Sequence, residues 1–221
     1  MLAAGERHWT LSDFSEVSAS AAAHALSRLA AAGELQRIRK GLYFRPKTTV
    51  LGPTLPSATA ALAKTFHAPL HPSGLTAAST LGLTTQNPGR GEYATPAAAG
   101  PGALPDATVH TRRPHTRYGL SDLEGALLEV LRDRARASDL DAQATIDRLV
   151  ARLRDPREFA HLAQASLAEP PRVRALLGAL GEQAGQAPGL LEPLRDSLNP
   201  LTRFDFGPLR ALPNARRWQA K

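Results

Sequence analysis

The chain has no cysteine. That excludes disulfides and thiolate metal sites, and it fits a reducing compartment without requiring one. Also missing is any apolar run near the roughly 20 residues that a bilayer span needs. The opening MLAAGERHW lacks the apolar stretch of a secretion signal, so a cytoplasmic protein with no membrane partner is expected. No Walker loop, G-x-G-x-x-G, H-E-x-x-H or G-x-S-x-G element occurs. Neither an enzyme activity nor a cofactor is therefore expected.

What is present is a basic, core-forming chain. Apolar residues make up 43% of its 221 positions, enough to bury a core and to set disorder aside. The formal net charge of +7 favours polyanionic partners. Its location matters more than its size. Residues 1–47 carry seven Lys/Arg against four Asp/Glu, and residues 48–120 carry five against two. Residues 121–221 carry fifteen against fourteen, so the excess sits in the first half.

Within that half, Trp9 to Pro46 reads as a short helix, a tight turn, a longer helix and a basic hairpin. Thr10 and Asp13 have the spacing of a capping box, and Trp9 and Phe14 that of a hydrophobic staple. Leu11, Phe14 and Val17 then line one face of a two-turn helix. Ser18 caps the next helix, which runs to about Ala32 and stops at Gly33. Ala22, Ala25, Leu26 and Leu29 form its buried stripe, leaving Ser20, His24, Ser27 and Arg28 on the open face. In LQRIRKGLYFR, Lys40-Gly41 supplies the turn, with Ile38 and Tyr43 meeting across the strands. Pro46 ends the ladder.

This order predicts a winged helix-turn-helix over residues 1–48. A helix entering a major groove needs small or polar residues on its leading turns so that the backbone can approach base edges. Ser18, Ser20, Ala21 and His24 meet that need, and Arg28 on the same open face is a further candidate DNA contact. Arg37, Arg39 and Lys40 would neutralise phosphates beside the groove. The same module could serve protein contact alone, with a solvated basic wing.

Residues 49–120 read as a mixed α/β segment. TTVLGPTLP is a connector, a helix is expected over Ser57–Phe66, and a small-residue helix opens near Pro72-Ser73. His67 and His71 have i,i+4 spacing, but Pro69 between them argues against a metal pair, and no metal is expected. Strands are expected at Gly91–Thr95 and Ala107–Arg113. The second leads into VHTRRPHTRYGL, where His110, Arg112, Arg113, His115 and Arg117 form either a solvated basic edge or an anion or partner surface. As a phosphate-handling enzyme site this stretch lacks a local carboxylate.

Residues 121–221 read as mainly helical. Ser121 and Glu124 cap a helix with the stripe Leu120, Leu123, Leu127, Leu128, Leu131. Ile146, Leu149, Val150 and Leu153 mark the next, and Phe159, Leu162 and Leu167 a third. Pro170-Pro171 opens a helix carrying Val173, Leu176, Leu177 and Leu180. Leu190, Leu191, Leu194 and Leu198 make the last. The tail, with two Phe and a Trp, is expected to fold back, because exposing those rings is costly. The predicted class is α+β: an N-terminal winged helix-turn-helix, then a larger mixed α/β domain over 49–221 with a helical C-terminal part.

The chain also resembles the AbiEi family of type IV antitoxins. The likeness runs through Trp9, Asp13, Phe14, the run Ala25-Leu26-Ser27-Arg28-Leu29, Gly33, Leu35, Arg37, Gly41-Leu42-Tyr43 and Pro46. It continues in Ser73-Gly74, Leu81-Gly82-Leu83, Thr85-Gln86, Pro88, Tyr93 and Thr95, and weakens beyond residue 135. It implies an autorepressor that binds inverted repeats in its own promoter, and a C-terminal antitoxin domain that counters a nucleotidyltransferase-like toxin without a stable complex. A regulator with no toxin partner and an antitoxin acting by direct contact remain open. Only eight residues precede Trp9, so the first scaffold helix of such a domain is short or absent, and the neighbouring domain is expected to cover part of its core.

Overall fold

The structure is a computed structural model that describes residues 7–49, 52–54, 61, 68–98 and 107–221. Its class is α+β, and the chain divides into two compact units, Met1–Ala68 and Pro69–Lys221. The sequence alone predicts a boundary after residue 48. The helix expected over Ser57–Phe66 lies outside the described residues except for Ala61, which is helical and buried. His67 and the segment before Arg7 also lie outside them.

The first described element is a strand the sequence did not announce, β1 (Arg7–Thr10). It is followed by α1 (Ala19–Ala31), β2 (Gln36–Arg39) and β3 (Leu42–Arg45), and the sheet order is β1-β3-β2, antiparallel throughout. Trp9 pairs with Tyr43 across β1 and β3, and both enter a core with Leu26 and Leu35. Between β1 and α1 only a 3-10 turn, Leu11–Asp13, forms in place of the expected two-turn helix. The local bonds explain its brevity. Thr10 donates both its N–H (2.7 Å) and its hydroxyl (2.9 Å) to Asp13 Oδ2, closing the turn. Phe14 then leaves helical geometry to stack on Trp9, ring centroids 5.3 Å apart, and Val17 is exposed.

Helix α1 matches its expected bounds. Ser18 Oγ accepts from the Ala21 N–H at 3.2 Å. Gly33, at φ +76°, takes the left-handed position just past the helix end. Gly41, at φ +81°, makes the hairpin turn. The register differs from expectation at one point: Arg37, not Ile38, pairs with Tyr43, because a bulge between Arg37 and Arg39 leaves Ile38 out of the ladder. A two-residue ladder, β4 (Thr48–Thr49) with β5 (Gly52–Pro53), follows.

The second unit begins with β6 (His71–Pro72), α2 (Gly74–Thr80), β7 (Gly91–Ala94) and β8 (Ala107–His110). Strand β7 is central, antiparallel to β6 and parallel to β8. Strand β8 stops at His110, short of Arg113, and Arg112 turns to φ +60°. Five helices follow: α3 (Asp122–Arg132), α4 (Ala142–Arg152), α5 (Pro156–Ser166), α6 (Pro171–Gln183) and α7 (Pro188–Asp196). Ser121 caps α3 with Glu124 reaching back to it (2.8 Å), as expected. One residue of its stripe is displaced: Leu123 is exposed, while Ala126 and Val130 are buried. Helix α6 is buried at Val173 and along Ala175–Gly181 and packs against α3, α4, α5 and α7, which makes it the axis of the core. The tail folds back on it, with Phe206 and Trp218 fully buried.

Candidate nucleic-acid interface

In the first unit the predicted residues divide by exposure, although Ala25 and Leu29 of the expected stripe are only partly buried. Ser18, Ser20, Ala21, His24, Ser27 and Arg28 are exposed, while Ala22 and Leu26, on the other side of α1, are buried, Leu26 against Trp9 and Tyr43 of the sheet. Ser18 Oγ is committed to the helix cap, so its part is to fix where α1 begins. The first turn of α1 carries no acidic side chain, which keeps its positive dipole end uncompensated. Arg37 and Lys40 are exposed on the hairpin, with Lys40 at its turn. Arg39 ends β2. Arg7 lies 4.3 Å over the Trp9 ring and 3.8 Å from Asp13, so its charge is partly used inside the unit.

The five residues of the second predicted site do not act as one. Arg117 is completely buried: its Nη1 donates to Glu129 and its Nε to Glu169, each at 2.6 Å. Arg113 grips Glu129 with two parallel bonds of 2.8 and 2.9 Å. Neither guanidinium is part of an anion-binding surface, which corrects that expectation. The carboxylates missing from the local sequence come from α3 and from the turn before α6, and both arginines are spent on them. His110 is half-exposed, 3.9 Å from Glu92. Arg112 and His115 are exposed and share a cleft of about 500 Å³ with Arg132 and Pro170.

The buried network also draws in Ser73, which donates to Glu129 Oε2 at 2.8 Å, and Arg132, whose Nη1 donates to Glu169. Burial pushes the Glu129 carboxyl up, but the hydrogen bond from Arg113, the charges of Arg117 and Arg113, and the Ser73 hydroxyl outweigh it and hold the pKa at about 2. So weak a base cannot activate the serine it touches. The Ser73–Glu129 pair is therefore a fastening between the start of α2 and α3, not a nucleophile with its base.

Beside it lies His71, fully buried, whose Nε2–H donates to the Arg117 carbonyl at 3.1 Å. Burial lowers its pKa below the ordinary 6.5. Among the described residues no group of three or more His, Asp or Glu side chains could hold a metal ion.

Both shifts tie stability to pH in the same sense. Below pH 6.5 the unfolded chain protonates His71 before the folded one does, so stability falls as pH drops. Glu129 adds a second loss as pH falls from its ordinary value of 4.5 toward about 2. A thermal melt series from pH 8 to pH 3 should show the midpoint fall monotonically on the acid side, and His71→Gln should blunt the part nearest pH 6. A midpoint rising on acidification would contradict both assignments.

Sequence reasoning missed the roles of Glu129, Glu169, Ser73 and Arg132 in this network. A signal for the first was available: Glu129 is the lone charge inside the run ALLEVL, where an unpaired carboxylate would be costly.

The molecule is thus an α+β protein with two compact units, the first of which presents a small-polar helix face and a basic hairpin. Residues 9–101 match the model of DUF6088, a family of unknown function. No curated protein matches the chain. Among solved structures, the crystal structure of the RV2827C protein from Mycobacterium tuberculosis is similar, with a TM-score of 0.52 at 17% identity. The similarity covers 91% of this chain and 80% of that one, and at that identity it bears on the fold alone.

Proposed function

We propose that the first unit is a winged helix-turn-helix that binds duplex DNA, with α1 in the major groove and the β2–β3 hairpin as the wing. On this reading the chain is a cytoplasmic, AbiEi-like type IV antitoxin that represses its own promoter at inverted repeats and counters a nucleotidyltransferase-like toxin.

The observation that carries the DNA part is the separation of faces on α1. Ala22 and Leu26 are buried while Ser20, Ala21, His24, Ser27 and Arg28 are exposed together, next in sequence to a hairpin with exposed Arg37 and Lys40. Small residues let a helix backbone approach base edges. Cations on a flanking hairpin supply affinity without sequence choice. The antitoxin part rests on the sequence resemblance in Trp9–Pro46 and Ser73–Thr95.

A gel shift with the protein's own upstream DNA, at stated salt, tests the first part. Arg37→Ala with Lys40→Ala should weaken binding to all duplexes and flatten the salt slope by roughly one unit for each phosphate no longer neutralised. His24→Ala or Ser20→Ala should instead change sequence preference, at about 1–3 kcal/mol per base read. No preference for the upstream DNA over random duplex would sink the repressor reading. Co-expression with the adjacent reading frame tests the antitoxin. Rescue without co-purification is expected, whereas a stable complex would favour neutralisation by direct contact.

A further inference from the structure

The 3-10 turn His115–Gly119, in the second unit, holds two rings against each other at the surface. His115 and Tyr118 have centroids 4.6 Å apart and planes tilted by 37°. His115 is exposed, and Tyr118 is 45% exposed. Beside them opens the cleft shared by His115, Arg112 and Arg132. We propose that this turn and cleft form a binding surface for single-stranded nucleic acid, with an unpaired base laid against the His115–Tyr118 rings and the adjoining phosphate held by Arg112.

The turn is fixed from below. Thr116 Oγ1 donates to the Ala165 carbonyl of α5 at 2.8 Å, the Arg117 side chain is locked between Glu129 and Glu169, and the Arg117 carbonyl accepts from His71. The backbone that carries the two rings is therefore fixed, which lowers the ordering cost on binding.

Arg112 is prepared in a similar way. Its backbone adopts φ +60°, a conformation that non-glycine residues seldom take and that is held here by its N–H bond to the Ala97 carbonyl (2.9 Å). Its Nε donates to the Ala98 carbonyl at 3.3 Å, and it has no carboxylate partner among the described residues. Glu169, the acid in the cleft wall, already serves Arg117 and Arg132. Positive charge is also crowded behind Arg132. Arg172 donates to the Arg132 carbonyl, and its pKa is lowered by burial, then by the charge of Arg134, with Arg132 and Arg136 adding to it against the opposing pull of Asp205.

The rings decide between single strand and duplex. In a duplex the base faces are hidden in the stack, and only phosphates and groove edges are offered. An aromatic pair with a cation beside it is matched by a splayed base and its phosphate. The surface lies in the second unit, so this inference stands apart from the proposal for α1 and the hairpin.

Fluorescence anisotropy of the full chain with labelled oligo-uridine and oligo-thymidine of about 12 nucleotides, within the range of single-strand site sizes, tests it against a random duplex of the same length. Binding to at least one single strand is expected, whichever the sugar. Tyr118→Ala should weaken it by about fivefold or more, as loss of one stacked base does, and Tyr118→Phe should restore it. Arg112→Asn, which tolerates the left-handed backbone, should weaken it and reduce the salt slope by about 0.7, the value for one single-strand phosphate. Arg37→Ala with Lys40→Ala should leave single-strand binding intact. The proposal is overturned if neither strand binds at low salt, if Tyr118→Ala binds as the parent does, or if Tyr118→Ala weakens duplex binding equally.

Discussion

Replacing Glu129 with alanine is expected to cost the second unit about 3–5 kcal/mol, the usual result of removing one partner from a buried ion pair. The side chain is 4% exposed and takes hydrogen bonds from Arg113, Arg117 and Ser73. Without it Arg117, which has no exposed surface, keeps only Glu169, and Arg113 loses both of its bonds. Three guanidinium groups would then be left with one carboxylate, and Arg117 among them has no access to water. Arg117→Ala should be similarly damaging for the opposite reason, leaving two buried carboxylates short of donors. A thermal melt followed by a signal from the second unit should shift by on the order of ten degrees, since 1 kcal/mol moves a domain of this size by roughly 2–4 °C. Arg112→Asn, on the exposed side of the same segment, should change the midpoint by far less. A loss under about 1 kcal/mol for Glu129→Ala would show that the arginines find solvent once their partner is gone, as exposed pairs do.

The network also shows where sequence reading reaches its limit. Elements set by local chemistry were legible: the caps at Ser18 and Ser121, the stop at Gly33, the turn at Gly41, the proline-opened helix α6, and the apolar stripes that became the core. Each depends on residues within a few positions of one another. The basic segment His110–Arg117 was legible as charge, but its fate was not, because the deciding partners are 12 to 52 residues away in sequence. Charge composition cannot distinguish an arginine aimed at solvent from one aimed at a glutamate on a later helix. Strand β1 was invisible for a related reason. Four residues, RHWT, carry no alternation long enough to read, and their strand character comes from pairing with β3. Likewise, the bulge at Ile38 reflects a register set by pairing with β3 that no local pattern expresses.

A second large effect is expected where the tail meets the core. Trp218 is fully buried, with its ring edge against Gly178 of α6, its Nε1–H bonded to Glu182 Oε2 and the Arg195 guanidinium 4.8 Å from its centroid. Trp218→Ala should cost about 3–5 kcal/mol through lost burial and the cavity left behind, and it also deprives Glu182 of one donor. Gly178 is the other half of this packing. A Cβ there would lie 2.1 Å from the ring, closer than packed atoms approach, so Gly178→Ala should displace the tail and cost on the order of 1–3 kcal/mol as overpacking. The double variant discriminates between direct packing and two independent defects. With the ring gone the new methyl has space to occupy, so the combined loss should fall short of the sum by at least about 0.5 kcal/mol, the lower end of coupling between touching residues. Denaturant melts of the four species close the cycle. Simple additivity would mean that the tail is held by Phe206 and Leu209 instead, with Trp218 contributing burial but no specific seat on α6.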